Sequence, residues 1–324
     1  MRAVVCNELG PPSLLRVEER PDPEPRPGQV VVDVEAAGVN YVDALFVGGQ
    51  YQIKPPVPFV PGTESAGTVS AVGESVDDVK VGQRVLVSAG LGGFATKLAA
   101  AASSVTVLPD VLDAPRAATF TQSYSTCLYA LRDRAQAQAG ETVLVLGAGG
   151  GVGLAAIGVA RALGCRVLGV ASTEEKRSAA LGAGAEAVLD PAAQPVKDAA
   201  RLWAGGTGVD VVVDPVGGAL AEPSLRALGD RGRYCVIGFA AGDIPTIPLN
   251  QVLLRNRTVV GIDWGIWAMQ HADEQRALLD NLLAMVAEGL IDPVPPNEYP
   301  LDDVARALED LLGRRVVGKI ALIP

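Results

Sequence analysis

The run GAGGGVG, Gly147 to Gly153, follows the apolar segment ETVLVL and opens LAAIGVARALG. Strand, glycine turn and helix in that order make a phosphate cradle. Amides without side chains approach a pyrophosphate closely, and the helix N-terminus adds partial positive charge. The GxGxxG spacing fails, because Val152 stands where the third glycine would fall. The usable triplet is Gly147, Gly150 and Gly153, with Ala148 small enough for the turn and Gly151 and Val152 completing the loop. In such a unit an acid about 20 residues past the turn holds the adenosine ribose. Here RVLGVASTEEKR carries Ser172 at that place, with Lys176 and Arg177 close behind. An acid would repel a 2′-phosphate; Ser172 removes the repulsion and offers a hydroxyl, and the two cations favour the anion. NADPH is therefore the expected cofactor. The plainer reading makes Lys176 and Arg177 a solvated helix face balancing Glu174 and Glu175.

The elements that must hold these residues are legible in the pattern. TVLVLG, RVLGVA, EAVLD, VDVVVD, RYCVIG and TVVGID read as near-continuous apolar strands alternating with helices. That alternation means a parallel sheet covered on both faces, and six strands fit a doubly wound nucleotide-binding fold. Asp214 ends the fourth strand at the edge where ligands bind; a turn-forming Asp is the other reading. Gly238 and Phe239 follow the fifth strand and are expected beside the nicotinamide. The first third instead has β-rich runs separated by Gly and Pro, MRAVVC, LLRVEE, QVVVDVEAAGV, SAGTVSAVG and QRVLVSAG, which suggest a barrel-like domain. After about Gly265, two amphipathic helices and a closing strand, VVGKIALIP, are expected to return to that first domain. The expected boundaries are 1–123 for the barrel, 124–264 for the nucleotide domain and 265–324 for the return.

With 324 residues, 49% apolar and 20% charged, the chain is long enough for two cored domains and too apolar for disorder. A net charge of −10 argues against general binding to nucleic acid or anionic membrane. No apolar run is long enough to span a bilayer, and the start MRAVVCNELG has no signal-like segment. Cys6, Cys127, Cys165 and Cys235 form no CxxC pair, so reduced thiols in the cytoplasm are expected. A catalytic zinc needs three protein ligands, usually His, Cys or carboxylate, and the chain has a single histidine, His271, read as a surface residue near a helix start.

Taken together, GAGGGVG, the early GVNYVDALFVGGQY and PFVPGTESAGTVSAVG resemble the medium-chain dehydrogenase/reductase superfamily. More narrowly they resemble its zinc-independent quinone oxidoreductase branch, which includes zeta-crystallin. The resemblance runs from Met1 to Pro324. It implies an α/β architecture with a GroES-like β-barrel catalytic domain and a Rossmann nucleotide-binding domain. It also implies a cleft for NADPH and substrate, a homodimer, and reduction of quinones or α,β-unsaturated carbonyls. Where the zinc-dependent relatives carry Cys and His, this chain has Asn40 and Tyr41 in GVNYVD and Thr63 in PGTES, with Glu64 retained. A zinc-free site is expected to favour acceptors that delocalise the charge delivered with a hydride.

The same resemblance assigns further residues. Asn40 matches a group near the nicotinamide ribose, although an Asn at a helix start is also an ordinary N-cap. Tyr41 and Tyr51 flank that segment; Tyr51 matches a tyrosine facing the substrate pocket, or simply packs. Thr126 matches a threonine beside the nicotinamide, or bonds back to its own helix. Arg314 matches a phosphate-binding arginine, while Pro191 stands where some relatives place a tyrosine. Apart from the resemblance, Trp264 and Trp267 stand near the expected domain junction in GIDWGIWAM, and either wall the substrate site or pack the hinge. Two other functions stand beside the reductase: a non-catalytic NADPH-binding redox sensor or structural protein, and an enoyl thioester reductase.

Overall fold

The computed structural model describes residues 1–324, which divide into two compact units. One is formed by Met1–Gln122 with Pro295–Pro324, the other by Ser123–Val294.

In the second unit, Thr142–Leu146 is buried along its whole length, as an apolar run without alternation requires of a central strand. It heads a six-stranded sheet, all parallel, in the order Ala187–Leu189, Arg166–Val170, Thr142–Leu146, Val209–Asp214, Leu228–Val236, Thr258–Gly261. Counted along the chain, that order is 3-2-1-4-5-6, the doubly wound arrangement whose strands end at a ligand edge. Helices Gly151–Ala162, Glu174–Gly182, Val196–Trp203 and Ala221–Ala227 fall between the first five strands, as the pattern predicts.

The expected return at residue 265 is corrected to Pro295. Helix Ala272–Ala287 buries Leu278, Leu279, Leu282, Leu283 and Val286 within the nucleotide unit. Two polar ties hold it there: Trp264 Nε1 donates to Gln275 Oε1 at 2.7 Å, and Arg132 Nη1 to Asn281 Oδ1 at 3.3 Å. Its amphipathic period reveals a buried stripe but not which core receives it.

The first unit is built on the strand Gln29–Val39, where five valines and three small residues pack both sides of a curled sheet. It pairs antiparallel with Glu64–Val72 on one edge and with Lys97–Ala101 and Ile320–Ile323 on the other. Arg84–Val87 and Val105–Val107 extend the sheet on the first side, and Asn297–Pro300 extends it parallel to Ile320–Ile323. The closing strand expected in VVGKIALIP is Ile320–Ile323, which lies in the first unit beside Asn297–Pro300. No helix in the structure is long and apolar enough to cross a membrane.

Candidate active site

The glycine turn joins Thr142–Leu146 to Gly151–Ala162, and each crowded position has a different neighbour. Gly147 has φ +61°, and a Cβ there would lie 2.7 Å from Val216 Cγ2. At Gly153 a Cβ would lie 2.2 Å from the Gly147 carbonyl oxygen, so this glycine lets the helix start directly beneath the turn. The two middle glycines differ in their surroundings. A Cβ on Gly150 would meet nothing closer than 3.5 Å, whereas one on Gly149 would fall 2.4 Å from Lys176 Cβ. Gly149, absent from the expected triplet, is the position where backbone passes against a cationic side chain. Gly150 is the helix N-cap and has no side chain to satisfy the first amides, which remain available to an anion. The cradle thus fits a nicotinamide dinucleotide: the turn is closed to side chains, and its amides are uncapped.

Ser172 is exposed just past the end of Arg166–Val170, and Thr173 caps the next helix by accepting from the Lys176 amide at 3.3 Å. Lys176 lies half-buried against Gly149. Arg177 is tied to two carboxylates. Its guanidinium contacts Glu174 Oε2 at 2.9 Å and Asp190 Oδ2 at 3.0 Å. The balancing of Glu174 read as the plainer role therefore holds for Arg177, with Asp190 added.

Asp214 is buried and fully engaged. Its Oδ1 accepts from the amides of Val216 (2.7 Å) and Gly217 (2.8 Å), and Oδ2 accepts from the Tyr234 hydroxyl. Burial, and after it the Asp214 charge, push the Tyr234 hydroxyl well above its usual range, so it stays a donor. Asp214 thus holds the turn that abuts Gly147, the plainer of its two readings. Its backbone oxygen also receives the Ile237 and Gly238 amides at 2.9 and 3.3 Å. Phe239 then closes on Gly217, where a Cβ would lie 2.9 Å from Phe239 Cδ1. The loops after strands one, four and five of the sheet therefore converge. Thr126 is half-buried in helix Thr121–Leu128, whose Cys127 Sγ reaches the Val152 carbonyl at 3.4 Å. Trp264 is buried, while Trp267 stacks on Tyr129 with ring centroids 4.4 Å apart and borders an open hollow with Phe239, Ile262 and Asp263. His271 Nδ1 lies 2.9 Å from the Trp267 carbonyl at the head of Ala272–Ala287.

The first unit holds a second polar cluster. Asn40 is the N-cap of Tyr41–Val47, and its backbone amide donates to Asp43 Oδ2 at 2.8 Å in capping-box fashion. Asp43 Oδ1 accepts the Thr63 amide at 3.1 Å. Asp43 is completely buried; burial first, and the Glu64 charge, push its carboxyl up to about 7 against the opposing Asn40 amide, Lys319 and Thr63. Asn40 Nδ2 donates to Glu64 Oε1 at 2.9 Å and to Thr63 Oγ1 at 3.3 Å. Glu64 Oε2 takes the Gln122 amide at 2.9 Å. Lys319 Nζ completes the cluster, bonded to Asn40 Oδ1 and lying 3.1 Å from Glu64 Oε1. Sheet register brings it there: Ile320 pairs with Val39, so the residues just beyond, Lys319 and Asn40, meet. Asp43 and Lys319 escaped the sequence reading, although the N-x-x-D spacing of Asn40 and Asp43 is a capping-box signal. Tyr41 is exposed on the first turn, and Tyr51 packs its ring on Phe46, centroids 4.7 Å apart. Arg314 is exposed in this unit, with φ +56°.

These residues do not fit zinc. An amide, a hydroxyl and one carboxylate occupy the positions, and a lysine ammonium already neutralises the carboxylate. No group of three His, Cys, Asp or Glu side chains elsewhere is placed to hold a metal ion.

Family comparison agrees with this geometry. Residues 26–110 match the alcohol dehydrogenase GroES-like domain, and residues 151–283 match the domain described as zinc-binding dehydrogenase. Quinone oxidoreductase-like protein 2 of Rattus norvegicus is 36% identical over 99% of this chain and 91% of its own length. Quinone oxidoreductase of Homo sapiens is 34% identical over 100% of this chain and 98% of its own. Among solved structures, the Escherichia coli quinone oxidoreductase complexed with NADPH superposes with TM-score 0.89 at 30% identity, covering 100% of both chains. The chain is an oxidoreductase that belongs to the zinc-independent quinone oxidoreductase branch of the medium-chain dehydrogenase/reductase superfamily.

Proposed function

We propose that the chain reduces quinones or α,β-unsaturated carbonyls with NADPH and without zinc. One observation carries the cofactor choice: the end of the second strand offers Ser172 and no acid, and Lys176 lies against the glycine turn. A 2′-phosphate there meets Ser172, Lys176 and the part of Arg177 not committed to Glu174 and Asp190. The amides of Gly147 to Gly153 take the pyrophosphate, and Thr126, Gly238 and Phe239 border the nicotinamide. Bound NADPH would supply the hydride. The protein's own part is to position the reactants and keep water out, with Tyr41 or Tyr51 as a hydrogen-bond partner for a substrate oxygen. Similarity to named quinone oxidoreductases, one solved with NADPH, supports the reading.

The test is steady-state oxidation of NADPH and of NADH against a panel of quinones, enones and enoyl thioesters. Turnover with quinones or enones, faster with NADPH, is expected. Tight NADPH binding without turnover would point instead to a sensor or structural role, and preference for thioesters to an enoyl thioester reductase.

We also propose a two-fold homodimer. Thr258–Gly261 pairs on one side only, with Leu228–Val236, and Leu249, Leu253, Leu254 and Val259 lie exposed near this edge. Light scattering at micromolar concentration is expected to give twice the chain mass, and a monomer mass would reject the dimer. Four buried free thiols suit the reducing cytoplasm.

A further inference from the structure

Within the nucleotide unit, the donors of Arg177 are largely taken. A guanidinium carries five N–H bonds. Nε and Nη2 both reach Glu174 Oε2, at 3.2 and 2.9 Å, and Nη1 reaches Asp190 Oδ2 at 3.0 Å and the Ala171 carbonyl at 3.4 Å. Two carboxylates thus share one cation, and they hold it differently. Glu174 lies on the first turn of the same helix and is 80% exposed, so solvent screens that pair. Asp190 is 28% exposed and anchored in a turn directly after Ala187–Leu189. Its Oδ1 accepts the Ala192 amide at 2.9 Å, and its backbone carbonyl accepts the Ala193 amide at 3.1 Å. Sheet register sets this turn beside the end of the second strand. Ala187–Leu189 runs parallel to Arg166–Val170, and the Ala171 amide donates to the Leu189 carbonyl at 3.0 Å. One residue beyond that bond the chain carries Ser172 on one strand and Asp190 on the other. The acid absent from the end of the second strand stands at the end of the third, paired with Arg177.

We infer that Asp190 is a specificity-determining residue that restrains the preference for NADPH over NADH. The inference rests on the NADPH reading and refines it. A 2′-phosphate beside Ser172 and Lys176 competes with an anchored carboxylate for Arg177, and that carboxylate's charge repels it. A 2′-hydroxyl carries no charge and meets neither obstacle.

The experiment titrates NADPH and NADH, without acceptor, into wild type, Asp190→Asn, Asp190→Glu and Lys176→Ala, with thermal melts to check folding. Asn keeps an oxygen for the Ala192 amide and removes the charge, whereas Glu keeps the charge. Asp190→Asn is expected to tighten NADPH by about three- to tenfold, the scale of a partly shielded ion pair, and to leave NADH within about twofold. Asp190→Glu is expected to keep the wild-type ratio of the two Kd values; a ratio raised as far by Glu as by Asn would assign the effect to the turn and overturn the inference. A ratio in Asp190→Asn within about twofold of wild type, or a loss of NADPH affinity, also overturns it. Lys176→Ala separates the two claims. Unchanged NADPH affinity in that variant refutes the 2′-phosphate site itself, while a loss there with an unmoved ratio in Asp190→Asn refutes only the role of Asp190.

Discussion

Raising the pH from about 4 to about 7 is expected to weaken the barrel unit through Asp43. Its carboxyl is completely buried and is pushed up to about 7, from an ordinary 3.8, chiefly by burial. In that window the folded chain keeps the proton while the unfolded chain has lost it. The unfolded state then binds fewer protons, so stability falls as pH rises, and levels off below and above the window. A displacement of about 3 units at about 1.4 kcal/mol each gives an effect on the order of 4 kcal/mol. Carboxyls held low, such as Asp33 by Lys97 and Asp310 by Arg315, act in the opposite sense, but below this window, where stability rises as pH climbs toward about 4. The informative quantity is therefore the stability of wild type relative to the Asp43→Asn variant, followed across pH. All three tryptophans, Trp203, Trp264 and Trp267, lie in the nucleotide unit, so their fluorescence is blind to the barrel. Amide hydrogen exchange in Tyr41–Val47 and Gln29–Val39 is the suitable assay. A relative stability that stays flat, or that climbs toward neutrality, would refute the reasoning.

Gly153→Ala sets a methyl carbon 2.2 Å from the Gly147 carbonyl, which must move; a stability loss of about 1–3 kcal/mol is expected by denaturant titration, with weakened NADPH binding. Lys176→Ala should raise the apparent constant for NADPH by about 10- to 100-fold and leave that for NADH nearly unchanged in initial-rate assays. Exhaustive chelation should leave activity intact, and metal analysis should find far less than one zinc per chain, because Lys319 already neutralises Glu64.

Much of the nucleotide unit was legible because its strands are continuous apolar runs that fit only a doubly covered sheet. The strands Lys97–Ala101 and Asn297–Pro300 were not: KLAAA lacks β-branched residues and NEYP contains proline, and both owe their form to pairing with a neighbour. The glycine turn announced itself, but the crowding at Gly149 did not, since only the fold brings Lys176 onto it. Lys319 was the hardest to read. In GRRVVGK it is one cation among several, and only the pairing of Ile320 with Val39 sets it beside Asn40, 279 positions away.

That pairing has a consequence for how the molecule is made. The nucleotide unit, Ser123–Val294, is one uninterrupted stretch and can complete its sheet while the ribosome is still adding the remainder. The barrel unit cannot. Gln29–Val39 is synthesised early but waits for Ile320–Ile323 to fill the Val39 end of its edge, and until then Glu64 has no lysine opposite it. A finished neighbour shortens the wait: once Ser123–Val294 has condensed, the two distant strands are joined by a compact body rather than by some 170 residues of loose chain, which lowers the entropy of closing the ring. The strand Ile320–Ile323 therefore decides when Glu64 acquires its lysine.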